Sequence, residues 1–242
     1  MSVRREAFLS LVLHERITKR CKPPSGDIPS RVVEAMSVLS FLPRARGGDS
    51  SPLICFVDLQ IEYVASNRRL ALADREPWIS NCQSLMASAR LRRFSIAHFR
   101  QVRRETEFNV ATEFCGWIEE FRPNPFEMTF ERSKPSCYAA EKFDELLRAL
   151  DDPEFLLVGL TGGGACLSTA VEAFHRGDRC IFVEDASASP AVGGLNEIRS
   201  HEVITDLVRS YCQVVSTSQA LAWMEGLNHS MTVRGRQWGN NE

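Results

Sequence analysis

The chain has 242 residues, of which 44% are hydrophobic and 25% are charged, and its formal net charge is −2. This length suffices for one sizeable α/β domain with its own core, and the composition is ordinary for a globular protein. The small net charge gives no basic field that would attract nucleic acid, and no apolar run approaches the length of a membrane-spanning helix. We therefore expect neither nucleic acid nor a membrane as a partner.

A basic segment precedes the predicted domain. Residues 1–47 contain nine Lys or Arg and four Asp or Glu, a net charge of +5, which leaves −7 for the rest of the chain. We interpret residues 1–49 as an N-terminal extension that packs on the surface or contacts a partner, although Met36 is a second candidate for the start of the protein. The predicted domain spans residues 50–225, and the polar residues 226–242 form a C-terminal tail.

Strand-like apolar runs and helical patterns alternate from residue 53 onward. Strands are predicted at 53–58, 95–100, 126–130, 155–160, 180–183 and 213–216. Helices are predicted at 77–91, near 112–121, at 138–150, from Cys166 on, at 196–211 and at 218–224. This alternation predicts an α/β protein with a parallel sheet in a three-layer α/β/α arrangement.

The eight cysteines are scattered along the chain, without a C-x-x-C pair or a Cys/His cluster that has the spacing of a zinc site. Several of them lie inside the strand-like or helical apolar runs. This pattern favours reduced thiols in a cytoplasmic protein. It gives no indication of a metal or of another cofactor.

A glycine turn, Thr161–Gly164, separates the predicted strand at 155–160 from the helix at whose first turn Cys166 stands. A thiol at a helix N-terminus lies in a field that favours its anion, and glycines let backbone N–H groups converge on one point. These features suit a nucleophile beside an oxyanion hole. The turn could instead hold a phosphate, although the spacing is G-x-x-G-G-G rather than G-x-G-x-x-G. Position alone leaves both interpretations open.

Three kinds of reactive side chain follow predicted strands. Asp58 ends the first strand, Arg132 and Lys134 follow the third, and Cys166 follows the fourth. Because the carboxyl ends of parallel strands share one edge of a sheet, these groups can meet there. An acid, a cation and a thiol at one edge form a plausible acyl-transfer site.

The same residues resemble a known family. Leu53–Gln60 is similar to the opening strand of the isochorismatase-like cysteine hydrolases, Val158–Ala170 to their nucleophile segment, and Val183–Ser189 to the strand and loop that follow. The family includes nicotinamidases and N-carbamoyl amide hydrolases, and the resemblance covers about residues 50–222. It implies a mostly parallel sheet of about six strands, and a homo-dimer or a tetramer.

The resemblance also implies a catalytic triad of Cys166, Asp58 and a cation. Asp58 would take the thiol proton, and the thiolate would attack an amide-type carbonyl. The backbone N–H groups of Gly162 and Cys166 would form the oxyanion hole, beside a cis peptide near Thr161–Gly162. Water would then hydrolyse the thioester.

The resemblance leaves two candidates for the cation. The family's lysine usually lies four residues before a Ser-x-aromatic sequence, here Ser136–Tyr138, and that count reaches Arg132. Chemical identity slightly favours Lys134 instead. Arg100, at the end of the second predicted strand, could bind a substrate carboxylate, and Tyr138 could line the pocket.

We therefore expect a metal-independent cysteine amidohydrolase that cleaves a C–N bond of a small amide, carbamoyl or ureido compound. The family's nicotinamidases carry an Asp-x-His metal site soon after the first acid, whereas this chain has no histidine between Asp58 and His98. Two alternatives stay open. One is isochorismate-type vinyl ether hydrolysis, which needs no thiol nucleophile, and the other is a non-catalytic binder or partner module on the same fold.

Overall fold

The computed structural model describes residues 52–151, 153–160 and 164–226. All of these residues belong to the unit Gly47–Glu242. The predicted N-terminal extension lies outside the described residues, as does the predicted tail beyond residue 226. The domain boundaries drawn from the sequence therefore stay predictions.

Six strands form one sheet in the order β3-β2-β1-β4-β5-β6, and all five pairings are parallel. The strands are β1 Leu53–Val57, β2 Ser95–Gln101, β3 Met128–Arg132, β4 Phe155–Leu160, β5 Cys180–Ala188 and β6 Gln213–Val215. Every residue of the central strands β1 and β4 is buried, as near-continuous apolar runs in a parallel sheet require. The predicted six-stranded parallel sheet is confirmed.

Helices cover the sheet on both faces. They are α1 Glu76–Arg92, α2 Phe143–Ala149, α3 Ala165–Arg176 and α4 Glu197–Val208, followed by helical residues 217–226. Helices α2, α3 and α4 pack on the face to which alternate residues of β1 and β2 contribute, including Leu53, Val57 and Phe99. Helix α1 contacts β5 and buries Trp78 and Leu85. Among the described residues, no helix has the length and apolarity that crossing a membrane requires.

The segment between β2 and β3 differs most from expectation. Two 3₁₀ turns, Glu113–Cys115 and Glu119–Phe121, replace the predicted helix near 112–121. β3 begins at Met128 rather than at 126, because a turn closes in front of it. The Glu127 N–H donates to Asn124 O at 3.0 Å, and the Glu127 carboxylate accepts from the Asn124 N–H at 2.9 Å.

Gly159 allows β4 to approach β1 closely just before the edge where the predicted site lies. Its φ is 129°, and a Cβ at this position would lie 2.1 Å from Val57 O. Only glycine tolerates this combination of conformation and contact. The Gly159 N–H donates to Ser187 Oγ at 3.1 Å, at the point where the register between β4 and β5 shifts.

Candidate active site

Asp58 occupies the carboxyl end of β1 and is fully buried. Its φ of 55° lies in the left-handed region, which is uncommon for a residue other than glycine. The Asp58 N–H donates to Phe99 O at 2.8 Å, and Asp58 O accepts from the Gln60 N–H at 2.7 Å. These bonds fix the backbone where the chain leaves the sheet, so the position of the carboxyl group is well defined.

Arg132 is the last residue of β3 and lies against Asp58. Both side chains are fully buried, and Arg132 Nη2 donates to Asp58 Oδ2 at 2.6 Å. Arg132 Nη1 donates to the backbone oxygen of Lys134 at 2.7 Å. Lys134 itself is exposed, and it contributes a carbonyl rather than its ammonium group. The structure thus brings Arg132 to Asp58, whereas the sequence analysis leaned slightly towards Lys134. The reason is that β3 ends at Arg132, and the chain turns away at Ser133.

The ion pair leaves two buried atoms without a hydrogen-bond partner among the described residues, Asp58 Oδ1 and Arg132 Nε. Burial raises the pKa of Asp58, and the Arg132 guanidinium and the Gln101 backbone N–H act against this rise. Burial acts to lower the pKa of Arg132, but the Asp58 charge outweighs it and raises that pKa. Asp58 is therefore a stronger base than an ordinary carboxylate, and one of its oxygens is available.

Cys166 is the second residue of α3 and is fully buried. Its thiol lies 3.9 Å from Leu160 O. Burial, with Cys137 and Asp58 adding to it, raises the pKa of Cys166 well above its usual value, and Arg132 acts against the rise. The thiol is therefore neutral at rest, although a helix N-terminus favours the anion. A thiol in this state needs a base in order to react as a thiolate, and Asp58 is a carboxyl group that acts on its pKa.

Cys137 is a second thiol, close enough to Cys166 to act on its pKa. The sequence analysis did not select it. Its backbone N–H donates to Thr169 Oγ1 at 3.0 Å, and Thr169 lies about one turn after Cys166 on α3. Burial raises the pKa of Cys137 to about 11, while Arg132 and a hydrogen bond to Thr169 act to lower it. Cys137 lies inside the Ser136–Tyr138 sequence, and this position is the feature of the sequence that could have identified it.

Gln60 is another residue that sequence reasoning missed. Its Oε1 accepts from the Gln101 N–H at 2.8 Å, and its Nε2 donates to Gln101 O and to Cys115 O, both at 2.9 Å. The buried side chain therefore fastens the loop after β1 to the end of β2. Gln101 is also the register partner of Arg132 on β3, so Gln60 indirectly supports the position of the guanidinium.

The two residues predicted to bind substrate lie elsewhere. Arg100 forms an ion pair with Glu131, its register partner, and projects from the face of the sheet opposite to that of Gln101 and Arg132. Tyr138 donates its hydroxyl to Asp178 Oδ2 at 2.6 Å. Asp178 precedes β5, at the amino edge of the sheet, so the Tyr138 ring points away from Asp58. The hydrogen bonds and ion pairs of these two side chains therefore lead to Glu131 and Asp178 rather than to Asp58 or Arg132.

The predicted oxyanion hole is described only in part. Cys166 is described, whereas Gly162 and the Thr161–Gly162 peptide, where a cis bond was expected, lie outside the described residues. Gly164, which precedes α3, has φ of 80° and is the N-cap of that helix. Among the described residues, no three His, Cys, Asp or Glu side chains are grouped so that they could hold a metal ion.

Comparison with known proteins supports the same assignment of fold. A family model described as the isochorismatase domain matches residues 52–220, which confirms the resemblance seen in the sequence. An isochorismatase from Pseudomonas putida KT2440 is 21% identical over 84% of this chain and 95% of its own, with a TM-score of 0.64. A cysteine hydrolase from Pseudomonas syringae pv. phaseolicola 1448A is 17% identical over 76% and 97%, with a TM-score of 0.65.

A third solved structure is N-carbamoylsarcosine amidase from Thermoplasma acidophilum. It is 21% identical to this chain, covers 69% of this chain and 96% of its own, and has a TM-score of 0.58. At these identities the three structures establish the fold alone. No curated protein matches the chain significantly.

Proposed function

Because the chain belongs to the isochorismatase family, whose members are hydrolases, we propose that it cleaves a C–N bond of a small amide, carbamoyl or ureido compound through a thioester on Cys166. The observation that carries the proposal is the buried Asp58 carboxylate. Arg132 holds one of its oxygens, and Oδ1 has no partner among the described residues. The N-carbamoylsarcosine amidase of the same fold supports the choice of bond.

In the first half of the reaction, Asp58 Oδ1 accepts the proton of the Cys166 thiol while sulfur bonds to the carbonyl carbon. Because the resting thiol is neutral and Asp58 is a strengthened base, the proton moves as the attack proceeds. The backbone N–H groups of Gly162 and Cys166 hold the oxyanion in this proposal. The C–N bond then breaks, and the leaving ammonia or amine takes the proton from Asp58.

In the second half, Asp58 accepts a proton from water as the water oxygen bonds to the thioester carbon. The S–C bond breaks, the acid product leaves, and the Cys166 sulfur recovers its proton from Asp58. Arg132 stays charged throughout, because the adjacent Asp58 keeps its pKa high despite burial. Its positive charge balances the negative charge of Asp58 whenever that carboxyl group is ionised. Its hydrogen bond to Oδ2 leaves Oδ1 for the proton transfers.

One observation favours a second candidate. Both Cys166 and Asp58 have raised pKa values, chiefly through burial, and a protonated Asp58 is a suitable general acid for vinyl ether hydrolysis of isochorismate type. That reaction needs no nucleophilic thiol. The two candidates therefore differ in whether Cys166 is required.

The test is ammonia release from a panel of small amides, carbamoyl compounds and ureas by wild type and by Cys166→Ala. We expect the substitution to lower kcat/KM by at least about 10³-fold, because it removes the nucleophile. Mass spectrometry of the acid-quenched wild type should detect an acyl adduct on Cys166.

Cys212→Ala is the matched control. This half-buried thiol precedes β6 at the amino edge of the sheet, whereas Asp58 lies at the carboxyl edge. We expect the variant to retain wild-type activity. If Cys166→Ala hydrolysed amides as fast as wild type, the thioester mechanism would be wrong. If it still cleaved a vinyl ether while Asp58→Asn did not, the second candidate would replace the first.

A further inference from the structure

A pocket of about 460 Å³ opens at the carboxyl edge of the sheet, next to the Asp58–Arg132 pair. Its lining consists of Val102, Arg103, Arg104, Glu105, Val110 and Ser133. Ser133 directly follows Arg132, and the Val102 N–H donates to Arg132 O at 2.9 Å. The pocket and the ion pair therefore share the ends of the same two strands, β2 and β3.

The arginines at this end of the molecule fall into two groups. Arg68 pairs with Glu62 at 3.0 Å, and Arg69 pairs with Glu107 at 2.8 Å. Arg103 and Arg104 form no salt bridge with any carboxylate of the described residues. Glu105 also lines the pocket, but one of its oxygens accepts from the Arg104 backbone N–H at 3.2 Å instead of meeting a guanidinium. Neither guanidinium is therefore paired with a carboxylate in the described part of the chain, although the charge of Arg103 acts on Asp58 and Glu107.

Arg103 is also held in a fixed orientation. Its backbone N–H donates to Phe108 O at 2.9 Å, and its carbonyl accepts from the Val110 N–H at 3.0 Å. With the amide oxygen of Gln101 turned towards it, Arg103 Nε and Nη2 donate to that oxygen at 2.6 and 2.5 Å. One N–H group of Nη2 and both N–H groups of Nη1 are left for a ligand. A guanidinium that is already oriented loses little conformational entropy when it binds an anion.

The loop that carries both arginines is anchored to the segment after Asp58. Phe108 is 4% exposed, and its ring lies 5.5 Å from that of Tyr63. Arg68 Nη2 donates to Thr106 O at 2.6 Å, which adds a second link. The pocket therefore keeps a constant position relative to Asp58, as a substrate-binding element should.

We propose that this pocket binds a carboxylate group, so that the preferred substrates are small amide or carbamoyl compounds that also carry a carboxylate. The inference rests on the proposed function and names its substrate class. Arg103 donates the hydrogen bonds, and Arg104 adds charge at the rim. Paired N–H groups of a guanidinium match the geometry of a carboxylate.

Arg103 lies close to the candidate catalytic residues. It is two residues beyond Gln101, the register partner of Arg132, and it acts on the Asp58 carboxyl, whose pKa it helps to lower against the larger effect of burial. A substrate that occupies both the pocket and the catalytic site would carry its carboxylate within a few bonds of the scissile carbonyl.

The test compares matched substrates with the full-length protein. N-carbamoyl-β-alanine and N-propylurea differ in that a carboxylate replaces a methyl group, and succinamate and butyramide form a second such pair. We expect wild type to prefer the charged member of each pair by at least about tenfold in kcat/KM. Arg103→Gln should lower kcat/KM for the charged members about 10- to 100-fold more than for the neutral members, because only the charged members lose hydrogen bonds to the guanidinium.

Two further variants serve as controls. Arg103→Lys keeps the charge without the paired donors and should lose less than Arg103→Gln. Arg148→Gln removes an arginine on α2 whose side chain is 71% exposed, and it should match wild type. An equal loss on charged and neutral substrates in Arg103→Gln, or a wild type that shows no preference, would overturn the proposal.

A binding experiment separates this proposal from the proposed function. Glutarate has no bond for the enzyme to cleave, and its binding to wild type and to Arg103→Gln can be measured by calorimetry. Binding that weakens at least about tenfold in the variant supports the carboxylate pocket even if no amide is hydrolysed. Absent binding, or equal binding to both proteins, counts against the pocket even if amide hydrolysis is found.

Discussion

Two carboxylates that contact cations, the partly buried Glu127 and the fully buried Asp58, differ in how completely hydrogen bonds occupy them. Glu127 accepts from Arg90 Nε at 2.7 Å and from the Asn124 N–H at 2.9 Å, and its Oε2 lies 2.8 Å from His98 Nε2. Both of its oxygens are engaged. Asp58 meets Arg132 through Oδ2, whereas Oδ1 has no partner among the described residues.

The pKa values of the two groups move in opposite directions because Asp58 is fully buried with few partners, whereas Glu127 is only partly buried and has more partners. Burial acts to raise the pKa of Glu127, but hydrogen bonds from Arg90, Asn124 and His98 bring it down to about 2. Burial raises the pKa of Asp58, and its fewer partners do not reverse the shift. A carboxylate with every lone pair engaged stabilises the fold, whereas one with an open oxygen can take a proton during a reaction.

Substitution by the matching amide should separate the two roles most clearly. Asp58→Asn should lower kcat/KM for amide hydrolysis by about 10³- to 10⁴-fold, because an amide cannot accept the thiol proton. Glu127→Gln should leave kcat/KM within about threefold, because Glu127 lies on the opposite face of the sheet and touches no reacting atom. Ammonia release under identical conditions measures both.

The folded state of each variant needs an independent check. Asp58→Asn leaves the buried Arg132 without a counter-charge, which costs about 3–5 kcal/mol in the free energy of unfolding. Circular dichroism and a thermal melt show whether the protein remains folded at the assay temperature. A folded Glu127→Gln protein as inactive as Asp58→Asn would refute the division of roles.

The pH dependence of stability should sharpen the same comparison. The pKa of Glu127 falls from an ordinary 4.5 to about 2 on folding, so its contribution is present above pH 4.5 and is lost as the pH falls towards 2. The shift corresponds to at most about 3 kcal/mol. Urea unfolding should give Glu127→Gln a deficit at pH 7 that shrinks between pH 4.5 and 3.5. A deficit that stayed constant with pH would contradict the ionic role of Glu127.

The sequence was sufficient to predict the sheet and the edge of the sheet at which the candidate site lies. β1 and β4 are continuous apolar runs, and a buried parallel strand requires such a run. Asp58 follows β1 directly, and Cys166 follows β4 after a short turn, so the topology brings both residues to the same edge of the sheet. The segment between β2 and β3 lacks any periodicity, and its turns depend on contacts from distant residues. Gln60, for example, reaches Cys115 O.

The remaining site residues could not be identified from the sequence, because their positions depend on contacts that a sequence pattern does not contain. Arg132 and Lys134 are two residues apart, so in a longer strand both would face the same side. The strand ends at Arg132, which selects the first of them. Cys137 enters through a contact with Thr169 on α3, and Arg103 is fixed through Gln101. Each of these depends on packing between elements far apart in the chain.

The smallest expected effect concerns Lys134. Its side chain is exposed, and it serves the site through a backbone oxygen that any residue supplies. We therefore expect Lys134→Ala to retain kcat/KM within about twofold, as surface substitutions usually do. Arg132→Ala is the matched comparison, because it removes the buried partner of Asp58 and should cost at least about 100-fold. If Lys134→Ala proved the more damaging of the two in folded protein, the ammonium group would have to reach Asp58 during turnover, and the assignment of the cation would pass from Arg132 to Lys134.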